Sequence, residues 1–462
     1  MTVILADACV VTVNGANDIL ERGSVLVRED RIADIGSTAQ LIAKEPHAEV
    51  IDCAGNILIP GMVNTHTHLF QTLLKGPGDD MVLKKWFTCM TGPAAVELTA
   101  PDAYAAAMHG CVESIRSGVT TLVDFMYVHP RPGLTRAVID AYEETGMRGF
   151  VCRGFFSDGA DYGVPPSLIE TPEAALADAR MLIKEHNRPG GRVQVGLAPC
   201  MIWGLDEASL RETRKAADEL GVLVTIHVSE TPFEIEHSQR VYGRTDTALL
   251  GDIGFLKPDV LAVHCVKCSS ADIATLRRHG TKVSHNPCSN MYLASGLAPI
   301  PEMLRAGVTI GLASDGPASS NNHSLFQAMK FAALIQKGFH GDATIITAQQ
   351  VLQMATIGGA RAVGLGDEVG SIEVGKKADL VLVDLTDSFA TPIHDPVSAL
   401  VYSALGHEPT LVVIDGAIVM RDRKVLTVDE RRVRREAQSA AESLTRRAGI
   451  SSRSKFWCAS LG

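Results

Sequence analysis

The sequence predicts a (β/α)₈ TIM-like barrel with a small β-sandwich domain built from the N- and C-terminal segments. Three observations predict it. Eight short apolar runs alternate with amphipathic stretches of helical spacing, a pattern that implies a parallel sheet closed on itself. Both ends of the chain carry turn-rich β segments, neither large enough to bury a sheet face alone. The rival doubly wound sheet would carry a Gly-rich phosphate loop after its first strand, and no such loop is found.

The elements follow in order. Residues 1–57 form the first segment of the β domain, with a hairpin pattern in Val25–Arg28, an acidic Glu29-Asp30 turn, and Arg31–Gly36. Residues 58–369 form the barrel. Its first strand is read as the apolar run from Ile57 through Met62 and Val63 to His66 and His68. The other seven are Val119–Asp124, Gly149–Arg153, Val193–Pro199, Val222–His227, Val260–His264, Lys282–His285 and Val308–Asp315, with helices such as Glu207–Glu219 and Ser270–Arg278 between them. Residues 370–425, with Gly370–Asp384 and Leu411–Gly416, return to β character and complete the terminal domain. Residues 426–462 form a C-terminal helix and tail; the amphipathic stretch Asp429–Ala448 reads as a helix able to pack on a neighbour, and a homo-oligomer is expected.

Composition limits the function classes. Apolar residues make up 46% of the 462, enough for a full core, and no run approaches the roughly 20 residues of a membrane span. Net charge is −10 without a basic stripe, which argues against nucleic acid as a partner. The opening Met-Thr-Val-Ile-Leu-Ala-Asp-Ala lacks a basic region and reads as a strand, not a secretory signal. The 10 cysteines follow no framework and read as reduced thiols, so a cytoplasmic protein is expected.

The chemistry gathers where a barrel keeps it, at the C-terminal strand ends. His66 and His68 lie at i and i+2 on one strand and project to the same face, so both imidazoles reach one metal ion. Imidazole alone suits zinc, iron, nickel or copper. His227, His264, His285 and Asp315 end later strands, and Glu230 follows three residues after His227. Core packing does not account for so many polar groups facing one mouth.

His66-Thr67-His68, His227-Val228-Ser229-Glu230, Ala262-Val263-His264-Cys265 and Ala313-Ser314-Asp315-Gly316 resemble the amidohydrolase superfamily, in its branch of aminohydrolases and chlorohydrolases of nitrogen heterocycles. The likeness extends over nearly the whole chain, including Asn286–Gly296 and Val369–Leu380. It implies one divalent metal, zinc or ferrous iron, held by His66, His68, His227 and Asp315. It makes Glu230, His264 and Asp315 the catalytic residues. Relatives with two metals bridge them by a lysine after the fourth strand, where this chain reads Ala198-Pro199-Cys200. The implied activity is hydrolytic deamination of a small amino-substituted heteroaromatic ring of purine, pterin, pyrimidine or s-triazine type. Two alternatives are dechlorination of a chloro-s-triazine and deamination of methylthioadenosine or adenosylhomocysteine.

Four residues are expected to bind substrate: Gln71, Trp86, His285 and Tyr292. The Gln71 amide both donates and accepts, matching the edge of a heterocycle, and the His-Leu-x-Gln-Thr-Leu-Leu pattern resembles s-triazine enzymes. Trp86 offers a stacking face. Tyr292 sits in the loop after the seventh strand. Two departures from the nucleoside deaminases weigh against that alternative: Gly92-Pro93-Ala94-Ala95 stands where they carry an acid for the ribose, and Pro199-Cys200 where they carry a histidine. After Asp315 comes Gly316, without the asparagine that marks the dechlorinating form, which favours an amine as leaving group.

Overall fold

The computed structural model describes residues 2–386 and 389–451. The far end of the expected C-terminal tail lies outside the described residues. Eight parallel strands form the barrel, in chain order around the ring: Met62–Thr67, Val119–Met126, Arg148–Phe155, Val193–Pro199, Val224–Val228, Val260–His264, Lys282–His285 and Ile310–Leu312. Every residue of the first three is buried, as expected of strands covered by helices outside and by side chains within. The last strand meets the first through Thr65 Oγ1 donating to the Leu312 carbonyl at 3.2 Å and the Asp315 N–H donating to the His66 carbonyl at 3.1 Å. That closure sets Asp315 beside the His66–His68 strand.

The two ends of the chain build the expected terminal β domain together, as one sheet of nine strands among the described residues. A single apolar core runs under both halves, joining Val3, Leu5 and Val25 to Leu380, Leu411 and Val413. Ile57–Pro60 belongs to this sheet. It pairs antiparallel with Leu380–Val383, so the first barrel strand begins only at Met62. Gly61 separates the two strands, and a side chain there would collide with Thr120 Oγ1, 2.1 Å from the position of a Cβ.

Barrel and terminal sheet are locked by a buried ion cluster. Arg148, at the start of the third barrel strand, donates to Asp379 through Nε at 2.8 Å and Nη2 at 3.1 Å, and to Asp415 at 2.7 Å. The terminal helix Glu430–Arg447 buries Val433, Ala437 and Leu444. It lies along Ala100–Arg116 of its own chain, fastened by Arg116–Glu430 at 2.9 Å and Arg447–Asp102 at 2.6 Å. The amphipathic face expected to meet a neighbour is thus covered from within. No helix among the described residues is long and apolar enough to cross a membrane, and the nine described cysteines are free.

Candidate metal centre and its pocket

His66, His68 and His227 bring one nitrogen each within 4.8 Å of one another, and His66, Asp315 and His264 form a second such group. Asp315 Oδ1 lies 3.3 Å from His66 Nε2 and 3.5 Å from His68 Nε2. His68 Nδ1 bonds the Phe125 carbonyl at 2.8 Å and His227 Nδ1 the Cys200 carbonyl at 2.7 Å. Those bonds fix each ring and leave Nε2 as the ligand atom, as metal-binding histidines require. His66 is fully buried, and neither ring nitrogen has a hydrogen-bond partner. A buried imidazole without partners, facing a carboxylate and two oriented histidines, fits one divalent ion with three nitrogen ligands and one oxygen ligand.

The electrostatics agree. Burial pushes the imidazole of His66 down to about 4 and that of His68 to about 3, so both are neutral ligands at pH 7. Burial alone would raise the Asp315 carboxyl, but the imidazoles crowded around it, His66 first at 3.3 Å, outweigh that effect and hold the group well below the usual carboxylate range.

Glu230 and His264 stand over this set. His264 Nε2 is 3.5 Å from Glu230 Oε2 and 3.9 Å from Asp315 Oδ2. Its Nδ1 lies between Asn290 Oδ1 at 2.8 Å and Asn286 Nδ2 at 3.1 Å, which turns Nε2 toward the cavity. Ser295 Oγ donates to Glu230 Oε1 at 2.9 Å. Burial raises the Glu230 carboxyl above its ordinary value. Behind it, the Glu234 carboxylate accepts the backbone N–H groups of Glu230 and Thr231, capping helix Pro232–Tyr242 and fixing the Glu230 backbone. Ser229, His264, Cys265 and Asp315 all have left-handed backbone, with φ of 51°, 71°, 49° and 63°.

A cavity of about 250 Å³ opens above these groups, walled by Trp86, Phe87, Tyr127, Tyr162, Trp203 and Phe233. Of the four residues expected to touch substrate, Trp86 lines it, its indole anchored by Nε1 donating to the Ala318 carbonyl at 3.0 Å. Gln71, His285 and Tyr292 do not. Gln71 lies in a 3₁₀ turn, Leu69–Leu74, that carries its amide behind Tyr127. His285 is fully buried below the mouth, with neither ring nitrogen bonded. Tyr292 turns outward and donates to Asp79. Tyr127, Trp203, Phe233 and Ser295 were not singled out from sequence; the signal available for the first was its place directly after a barrel strand.

A closed parallel barrel with this donor set, and a carboxyl–imidazole pair above it, defines a metal-dependent hydrolase. The amidohydrolase family model matches residues 57–419, and the chain belongs to that family. It is 39% identical to a 5-methylthioadenosine/S-adenosylhomocysteine deaminase of Desulforudis audaxviator, over 96% of this chain and 99% of that one. It is 38% identical to a 5′-deoxyadenosine deaminase of Methanosarcina mazei, with the same coverage. Among solved structures, a zinc-bound adenosine deaminase from Xanthomonas campestris superposes with a TM-score of 0.90 at 29% identity, over 96% of this chain and 98% of that one. An atrazine chlorohydrolase from Arthrobacter aurescens, with a TM-score of 0.87 and 23% identity over 95% of this chain and all of that one, shares the fold.

Proposed function

We propose that this protein is a zinc-dependent aminohydrolase that replaces the exocyclic amino group of an adenine-type nucleoside with hydroxyl. The carrying observation is the Glu230–His264 pair set over the three-histidine, one-aspartate centre, in a chain similar end to end to deaminases of 5′-modified adenosines. The bare heterocycle favoured by the sequence gives way to a nucleoside, since the chlorohydrolase shares the fold at 23% identity while a nucleoside deaminase is 39% identical over a similar length.

When bound, a divalent ion supplies a water whose pKa is lowered from about 15.7 to about 7. The protein's own groups do the rest. Attack at the amino-bearing carbon disrupts ring conjugation, so the adjacent ring nitrogen must gain a proton, and the Glu230 carboxyl, which burial pushes toward its protonated form, is the group to give it. His264, with Nε2 between Glu230 and Asp315, takes the proton released from water and passes it to the departing amine, which leaves as ammonia, while the proton left on the new hydroxyl returns to Glu230 as the ring settles into its oxo form.

The wall favours an apolar 5′ end on the sugar. Among the described lining residues the only carboxylates are Glu230 and Asp315, and most of the rest are aromatic or aliphatic. Lys84, exposed at the rim over Phe233, adds little for a charged substituent because water screens it. Ammonia release from 5′-deoxyadenosine, 5′-methylthioadenosine, S-adenosylhomocysteine, melamine and pterin tests the proposal. The first two are expected to be fastest; a protein that prefers a triazine or pterin would refute it.

A further inference from the structure

Tyr127 is the first residue past the second barrel strand, 4% exposed, and it lines the cavity. Its ring is fixed from several sides, edge-on to His68 at 4.8 Å, Phe70 at 5.3 Å and Phe156 at 5.7 Å between centroids. The hydroxyl accepts from Gln71 Nε2 at 3.2 Å. Gln71 is itself wedged behind, its Oε1 only 2.0 Å from where a Cβ on Gly316 would lie, so a glycine is needed at 316 for the amide to reach this place. A phenol has one proton to donate. With the oxygen already accepting from Gln71, that proton has no acceptor among the described residues.

The position across the mouth matters as much. Tyr127 follows the second strand and Glu230 the fifth, and both line the one cavity. Two other donors on the cavity wall are already committed, Trp203 Nε1 to Glu234 Oε1 at 3.3 Å and Ser295 Oγ to Glu230 Oε1 at 2.9 Å.

We propose that Tyr127 is the specificity-determining donor of this site: its O–H binds a ring acceptor on the flank of the reacting carbon opposite Glu230, which in an adenine ring is N7, while Gln71 orients the hydroxyl from behind. The naming of N7 rests on the adenine reading above; the donor role does not. Tyr127→Phe removes the hydroxyl and keeps the ring contacts. On whichever amine the parent turns over fastest among 5′-deoxyadenosine, adenosine, pterin, cytosine and melamine, kcat/KM should fall about 10- to 100-fold, with zinc content equal to the parent's. On adenosine against 7-deazaadenosine, the parent should discriminate at least about tenfold more than the variant, because only the parent has a donor to leave unpaired. Parent-like kcat/KM for the variant on the fastest amine, an equal 7-deaza penalty in both proteins, or loss of zinc from the variant would each overturn the assignment. A fastest amine that is not a purine would instead refute the nucleoside reading, and the first comparison would still decide the role of Tyr127.

Discussion

Replacing Glu230 by Gln keeps the shape of the side chain and its bond from Ser295 Oγ, now 2.9 Å, but leaves no proton to cycle. The side chain is 6% exposed, so water does not readily substitute for it. General acid assistance is worth roughly 10²- to 10⁴-fold. At about 1.36 kcal/mol per decade, that is about 2.7 to 5.4 kcal/mol of transition-state stabilisation. The upper half of the range is expected, because burial pushes the Glu230 carboxyl toward its protonated form and because attack without ring protonation breaks conjugation uncompensated. The assay is steady-state ammonia release from the best nucleoside, beside zinc content by atomic absorption. Glu230 is absent from both clustered donor groups, so zinc should stay near one per chain while kcat falls. Turnover within about threefold of the parent would show that protons reach the ring through His264 or solvent, and the mechanism would have to be abandoned.

Three further outcomes test the centre and its support. His227→Ala removes one of the clustered donors, so zinc content and activity should both be lost while circular dichroism stays native; two ions per parent chain would refute the single centre. Arg148→Met strands the Asp379 carboxylate, whose side chain is fully buried, and should cost about 3 to 5 kcal/mol in urea denaturation, recovered in part by adding Asp379→Asn. An unchanged midpoint would mean the two sheets are held by apolar contact alone. Burial raises the Asp124 carboxyl from 3.8 to about 7, so the folded state keeps its proton longer than the unfolded chain, and this group's contribution to stability falls as pH rises between those values. Asp124→Asn keeps an acceptor for the Leu69 N–H, 2.7 Å away, and cannot ionise, so melting curves at pH 5 and pH 8 should differ less than the parent's; parallel shifts would contradict the assignment.

What the sequence could reveal was whatever is local. The eight barrel strands and the helices between them follow from apolar periodicity, and His66, His68, His227, Glu230, His264 and Asp315 are marked by their place at strand ends. What failed depended on distant partners. Ile57–Pro60 reads as barrel because the apolar run continues across Gly61, yet its hydrogen bonds go to Leu380–Val383, more than 300 residues away. The amphipathic face of Glu430–Arg447 was plain, while its partner, Ala100–Arg116 of the same chain, was not. Gln71 sits five residues past His66 in any alignment of motifs, but whether it enters the cavity depends on the rotation of the 3₁₀ turn that carries it. The aromatic wall comes from four separate segments of the chain, so no motif holds Trp86, Tyr127, Trp203 and Phe233 together.

The buried polar groups beneath the mouth are best understood through the backbone they restrain. A non-glycine residue in the left-handed region costs on the order of 1 to 3 kcal/mol, and Ser229, His264, Cys265 and Asp315 are all held there. Each stretch has its own clamp. The Asp246 carboxylate accepts both the N–H, at 2.6 Å, and the hydroxyl of Ser229; Asn290 and Asn286 hold the His264 ring; Asn64 Oδ1 accepts the Ser314 N–H at 3.1 Å, one residue before Asp315. A relaxed strand end would point its last side chain along the strand's alternation, up or into the barrel wall. The left-handed turn breaks that alternation and lets consecutive strands aim different groups at one point. Stability sacrificed at these positions is therefore spent on convergence of the donor set, and loosening a clamp such as Asp246 would be felt in the geometry of Glu230, one residue beyond Ser229, before it was felt in the barrel.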